Sequence, residues 1–160
     1  MTALLSAALL CSPCWPGQVE QWRDLITESA TRYGLDDDLI AAVIWQESAG
    51  DPAAERYEPY WNVTSYGLMQ IVDWDFRRVT PAQLLDPAFN VDMGAHILAE
   101  SIAAGGTLRR GLAVYNCSLE GVNANLCGRY GGLAYADKVL RQCRAWGGCV
   151  RPTGRGHFVR

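Results

Sequence analysis

The sequence predicts an all-α fold in a single domain. Three observations lead there. Apolar residues recur at three- and four-residue steps in several stretches, helix start and stop signals bracket those stretches, and no stretch alternates as a strand would. A chain of 160 residues is long enough to bury a core as one domain without help from a metal or a partner.

The first helix spans Gln18 to Tyr33, with Val19, Trp22, Leu25, Ile26, Ser29 and Tyr33 on one face and Gly34 as its stop. Asp36 then caps a second helix whose acidic first turn, Asp37 and Asp38, suits the helix dipole. It runs to about Ser48, where Gly50-Asp51-Pro52 ends it. From Asp51 to Thr64 there is no periodicity, so a long loop rich in aromatics (Tyr57, Tyr60, Trp61, then Tyr66) is expected. Thr80-Pro81-Ala82-Gln83 is a capping box with proline at the first helical position. Asp86-Pro87 starts a helix from Ala88 to Ala104 with Phe89, Met93, Ile97 and Ser101 in one stripe, and Gly105-Gly106 breaks it. A short helix from Leu108 to about Tyr115 and a last one from Leu133 to Trp146 complete the set. The domain so outlined covers 17–147, and 148–160 is a basic, glycine-containing tail.

Composition excludes more than it names. With 49% hydrophobic and 19% charged residues, the chain is ordinary globular material. No apolar run reaches the roughly 18 residues of a membrane span. A net charge of −3, with Lys138 as the only lysine, gives no general attraction to nucleic acid or to anionic membranes. Residues 1–16 have an apolar stretch of signal-peptide length but no positive start and no small-residue cleavage site. They read either as a leader or as an N-terminal segment of the mature chain.

Six cysteines, at 11, 14, 117, 127, 143 and 149, are many for a reduced compartment and favour disulfides. Cys117 and Cys127 flank one loop, and Cys143 and Cys149 flank a helix end, so local bridges fit there. Cys11-x-x-Cys14 has no second ligand pair, and His96 and His157 have no ligand-spaced neighbours; no metal is expected.

Glu47 is the unusual residue. In IAAVIWQESAGDP, Ile40, Val43 and Ile44 share a face, and Glu47 is next on it. A carboxylate there loses hydration, which favours its protonated form and raises its pKa, the condition for donating a proton near neutral pH. A packed stem with its head in water would satisfy the same pattern, so the neighbours decide. Tyr66-Gly67-Leu68-Met69-Gln70-Ile71 offers a glycine for close approach and an amide with donors and an acceptor; Tyr115-Asn116 adds a hydroxyl and a second amide. Amides and aromatic rings are the groups that bind sugars.

In this order and spacing, these segments resemble the lytic transglycosylase catalytic domain of the soluble, goose-lysozyme-like group. Glu47-Ser48, the Gly-Leu-Met-Gln of 67–70, Val114-Tyr115-Asn116, Asp86-Pro87 with Asn90-Val91 and Gly94-Ala95, and Tyr135 ahead of Lys138-Val139-Leu140 carry the likeness, which extends from Trp22 to Arg144. The resemblance implies a lysozyme-like helical fold, in which 51–64 is a substrate-cleft loop. It implies cleavage of the β-1,4 bond between N-acetylmuramic acid and N-acetylglucosamine of peptidoglycan, with a 1,6-anhydromuramyl product. Glu47 would act as acid and then as base. Ser48, Tyr66, Gly67, Met69, Gln70, Tyr115, Asn116 and Tyr135 would hold the sugars or the acid. No metal or cofactor is implied. Work outside the cytoplasm is implied, in the periplasm, secreted or on a virion, alone or within a phage tail or secretion assembly.

One departure opens a second reading. After Gln70 the chain continues Ile71-Val72-Asp73-Trp74-Asp75-Phe76, without the proline usual in the transglycosylases. Goose-type lysozymes carry an acid there, so Asp73 or Asp75 would activate water and make the enzyme a hydrolase. A third reading is a non-catalytic glycan-binding module with Tyr57, Tyr60 and Trp61 as its stacking platform.

Overall fold

In the computed structural model, residues 15–59, 61–72, 79–128 and 131–149 are described. Eight helices and one small sheet follow in chain order: α1 (Gly17–Glu20), α2 (Arg23–Tyr33), α3 (Asp37–Ser48), β1 (Glu55–Glu58), β2 (Val63–Tyr66), β3 (Ile71–Val72), α4 (Pro81–Leu84), α5 (Pro87–Gly105), α6 (Leu108–Cys117), α7 (Leu119–Asn123) and α8 (Leu133–Ala145). Almost all of residues 1–16 and 148–160 lie outside the described set.

The helical expectation holds, with three differences. The first helix is broken at Gln21–Trp22, so α1 and α2 are separate; the Trp22 indole turns to donate to the Gly50 carbonyl at 3.0 Å. The stripe on α5 is rotated from the one read in the sequence. Asn90, Val91, Gly94, Ala95, Leu98, Ser101 and Gly105 are its buried residues, while Phe89, Met93 and Ile97 pack at the core's edge. The third difference is the sheet, in the stretch read as loop. β1 pairs with β2 and β2 with β3, both antiparallel, with Glu55 opposite Tyr66 and Ser65 opposite Val72. Asn62, just before β2, enters the left-handed region (φ 51°).

α3 is the central helix. Asp36 caps it by accepting from the Asp38 amide at 2.9 Å, and every residue from Leu39 to Ile44 is buried. A helix apolar on all sides belongs in a core, and each of its large side chains contributes about 1.5–3 kcal/mol by burial. The other helices surround it: α2 and α8 lie against α3, α5 against α2, and α6 against both α5 and α8. At the far end of the α3–α8 pair, Asp38 accepts from the Trp15 indole at 2.7 Å. There the Cys149 amide donates to the Asp36 carboxylate at 3.1 Å. Two disulfides close local loops, Cys117–Cys127 and Cys143–Cys149. Cys11 and Cys14 lie outside the described residues. No described helix is long and apolar enough to cross a membrane.

Candidate active site

Glu47 lies in the last turn of α3, one turn beyond the buried Val43–Ile44. Its residue is half-buried, and its carboxyl receives a hydrogen bond from the Tyr135 hydroxyl at 2.6 Å. Burial raises the Glu47 pKa from 4.5 to about 7; the Tyr135 hydrogen bond and the positive charge of Arg56 oppose the rise without cancelling it. Tyr135, buried in the first turn of α8, is itself pushed well above its ordinary value by burial and by the Glu47 charge. The phenol therefore stays protonated and acts as a donor.

The turn from Gly67 to Gln70 forms the adjoining wall. Gly67 has φ 72°, and a Cβ there would lie 2.6 Å from both the Asn90 amide and the Leu84 carbonyl, so only glycine fits. Asn90, fully buried on α5, holds this turn from within. It accepts from the Met69 amide at 2.7 Å and donates to the carbonyls of Tyr66 at 2.8 Å and Leu84 at 2.7 Å. Gln70, also at positive φ (48°), donates to the Ala54 and Gly67 carbonyls at 3.1 and 3.0 Å. Its amide nitrogen thus ties the turn to the start of β1.

Several residues read as sugar contacts have structural work in this geometry. Ser48 Oγ donates to the Leu68 carbonyl at 2.8 Å and accepts from the Gly50 amide at 3.2 Å, joining the end of α3 to the turn. Met69 is 0% exposed and its side chain lies against Gly94, so it belongs to the core rather than to an open surface. Tyr66 is buried at the end of β2. Tyr115 donates from its hydroxyl to the Met69 carbonyl at 2.8 Å, which brings α6 onto the same turn. Asn116, exposed, accepts from the Gly132 amide at 2.8 Å and so reaches the start of α8. Glu47 and Tyr135 touch directly, whereas Ser48, Gln70 and Tyr115 converge on the turn beside them.

The start of α8 is fixed from a second side. Gly132, at φ 55°, approaches the Cys117–Cys127 bridge so closely that a Cβ would lie 2.8 Å from Cys127 Cβ. The disulfide therefore packs against the residue that opens the helix carrying Tyr135. The β1–β2 hairpin exposes Tyr57 (58%) and Trp61 (66%). Asp73, Asp75 and Tyr60 lie outside the described residues. Among the described residues, no group of three His, Cys, Asp or Glu is placed to hold a metal ion.

Two contributors were not singled out as site residues from the sequence. Asn90 had a signal, a polar residue between Phe89 and Val91 on an otherwise apolar helix. Arg56 had none, because its position depends on a strand pairing that the sequence does not announce.

A helical domain of the lysozyme-like kind, with one carboxyl desolvated at the end of its central helix, is the class defined by this fold and site. Residues 24–134 match the Transglycosylase SLT domain, and the chain belongs to that family. It is 29% identical over 96 residues to the transglycosylase of Enterobacteria phage PRD1, an alignment covering 60% of this chain and 34% of the phage protein. It is 28% identical over 115 residues to the invasion protein IagB of Salmonella typhimurium, covering 68% of this chain and 71% of that one. An inactive Glu-to-Gln mutant of the lytic transglycosylase Slt from Pseudomonas aeruginosa superposes with a TM-score of 0.64 at 21% identity, over 78% of this chain and 24% of Slt. That likeness is one of fold. The chain spans about a third of the length of the phage relative.

Proposed function

We propose that residues 17–147 form a peptidoglycan lytic transglycosylase domain that cuts the β-1,4 bond between N-acetylmuramic acid and N-acetylglucosamine. The observation that carries the reading is the Glu47–Tyr135 pair, a carboxyl with a pKa of about 7 held at 2.6 Å by a permanent donor. Near neutral pH such a group is populated in both forms, as a residue that gives a proton and then takes one must be.

Glu47 protonates the glycosidic oxygen, and the C1–O4 bond breaks as N-acetylglucosamine leaves. The muramyl acetamido group stabilises the positive centre at C1. Glu47, now a carboxylate, removes the proton from the C6 hydroxyl, and O6 closes on C1 to give the 1,6-anhydro ring. No water enters, and Glu47 ends protonated as it began. Tyr135 orients the carboxyl. Ser48, Gln70, Tyr115 and the Gly67–Gln70 backbone shape the wall against which the sugar lies, and Asn116 steadies the start of α8. The Slt mutant described above is inactive with a glutamate replaced by glutamine, which supports giving one glutamate the central role here.

The domain acts outside the cytoplasm. Its two described disulfides suit an oxidising compartment, and its substrate class lies there. A phage protein and an invasion protein among its relatives support a part in opening the wall for a larger assembly.

Mass spectrometry of muropeptides released from purified peptidoglycan tests the reading. Products ending in 1,6-anhydromuramic acid, one water lighter than reducing sugars, are expected from the wild type. Their loss is expected in Glu47→Gln, with retained binding to the wall. Reducing ends would assign the domain to the hydrolases, and unchanged lysis by Glu47→Gln would remove Glu47 from the mechanism.

A further inference from the structure

Three consecutive residues at the end of α6 hold three different parts of the molecule. Tyr115 donates to the Met69 carbonyl, Asn116 accepts from the Gly132 amide, and Cys117 is bonded to Cys127. The bridge sits among three glycines. A Cβ on Gly121 would lie 2.8 Å from Cys117 Sγ, one on Gly132 would lie 3.0 Å from Cys127 Sγ, and one on Gly131 would overlap the Cys127 carbonyl. The absence of side chains at these positions is the space that the bridge and its backbone fill.

α8 begins without a cap of its own. Its N-cap is Gly132, which has no side chain to bond the first amides of the helix. Helix ends of this kind open first, and Tyr135 is the third residue of α8. The first turn is therefore fixed from outside, by the Asn116 side-chain oxygen on the Gly132 amide and by the bridge packed against Gly132. The rest of α8 is held independently. Asp137 accepts from Arg109 at 2.7 and 2.8 Å, and Val139, Leu140 and Cys143 lie in the core. Loss of the bridge would loosen only the turn that presents the Tyr135 hydroxyl to Glu47. A hydrogen bond of 2.6 Å tolerates little displacement.

We infer that the Cys117–Cys127 bridge is a positioning element for the acid–base step, so that the proposed transglycosylase reaches full rate only while this bridge is closed. The inference rests on the assignment of Glu47 as acid and base. The bridge takes no part in bond cleavage and acts through Gly132 and Tyr135. Both its cysteines are half-buried beside the exposed residues 123–126, so a dithiol can reach it. One thiolate of the dithiol attacks a bridge sulfur, and its second thiol resolves the mixed disulfide. The dithiol leaves as a cyclic disulfide, and two electrons and two protons pass to Cys117 and Cys127 as thiols. The chain is thereby slow in a reducing compartment and gains its rate in an oxidising one.

The test compares oxidised wild type with Cys117→Ser, Cys127→Ser and with Cys143→Ser, Cys149→Ser, which removes the bridge at the far end of α8. Both variants should melt below the wild type. Only the first should lower kcat for release of 1,6-anhydro muropeptides, by about tenfold with KM changed less than about twofold, as expected when one hydrogen bond to the acid is lost. Only the first should move the alkaline limb of the pH–rate profile, near 7 in the wild type, upward as Tyr135→Phe does. In a Tyr135→Phe background the same double substitution should cost less than about twofold more. Equal limb shifts in the two bridge variants, or an undiminished loss in the Tyr135→Phe background, would overturn the inference. So would full rate in dithiol-treated wild type whose Cys117 and Cys127 are shown by alkylation to be free thiols. Amide hydrogen exchange gives a readout without turnover. The Ala136 amide, bonded to the Gly132 carbonyl at 3.0 Å, should exchange about tenfold faster or more without the bridge, while Val139 and Leu140 keep their protection. That pattern supports the positioning role even if the wild type cuts no glycan. An Ala136 amide as protected as before overturns it even if cleavage proceeds.

Discussion

Replacing Glu47 by glutamine should stabilise the protein, and by an amount that grows with pH. The Glu47 carboxyl has a pKa of about 7 in the fold against 4.5 when free. That difference corresponds to about 3 kcal/mol of preference for the protonated form. Between these two values the folded chain binds more protons than the unfolded chain, so stability falls as pH rises. Below 4.5 both states are protonated and the carboxyl costs nothing; above 7 both are ionised and the full cost of holding a buried charge is present. Glutamine keeps the shape and still accepts from Tyr135, but it never ionises. The two variants should thus be nearly equal at pH 4. Glu47→Gln should gain about 2–3 kcal/mol by pH 8, the lower figure allowing for water at a half-buried site. For a domain of this size that is a rise of about 5–10 °C in melting temperature. Thermal unfolding by circular dichroism from pH 4 to 8, with disulfides oxidised, reads the difference directly, and other titrations cancel between the variants. A difference that stays constant across this range would mean that Glu47 is as well solvated as an ordinary surface acid. The desolvation reasoning behind its role would then fail.

The neighbours of Glu47 yield two further expectations. Tyr135→Phe removes a hydrogen bond that favours the ionised carboxyl, so the alkaline limb of the pH–rate profile, set near 7 in the wild type, should move upward while the maximal rate falls. An unmoved limb would place the tyrosine outside the acid's electrostatics. Asn90→Ala strands the Met69 amide and the Tyr66 and Leu84 carbonyls inside the protein. The cost should be about 3 kcal/mol or more, with release of muropeptides slowed as the Gly67–Gln70 turn loosens; an unchanged melting temperature would show that water replaces the amide.

The parts of this structure that follow local rules were legible in the sequence. Asp36 and Thr80 cap α3 and α4 as their spacing implied, and the two cysteine pairs that flank short loops are bonded. Glu47 stood out because it continued an apolar face. What was not legible depends on pairing across the chain. β1 is four residues long and mostly exposed, and β2, of the same length, buries its last two residues in succession rather than alternately, so neither shows an alternating pattern. Without that hairpin there was no way to place Arg56 near Glu47. The roles of Ser48, Met69 and Tyr66 were blurred for a related reason. A motif shows which residues occur together, but not which of them face inward, and Met69 belongs to the core while its carbonyl accepts from Tyr115.

The strength of the acid is set by three segments that meet only in the fold. The end of α3 removes Glu47 from water and pushes its pKa up. The start of α8 brings the Tyr135 hydroxyl and the β1 strand brings the Arg56 charge, and both pull the pKa down. Desolvation alone would leave a carboxyl too reluctant to ionise, able to give a proton but poor at taking one back. A strong ion pair would do the reverse. The compromise near neutrality depends on the position of α8, which Asn116 and the Cys117–Cys127 bridge fix through Gly132. A disulfide with no chemistry of its own thereby holds in place one of the two groups that keep a single glutamate usable in both halves of the proposed reaction.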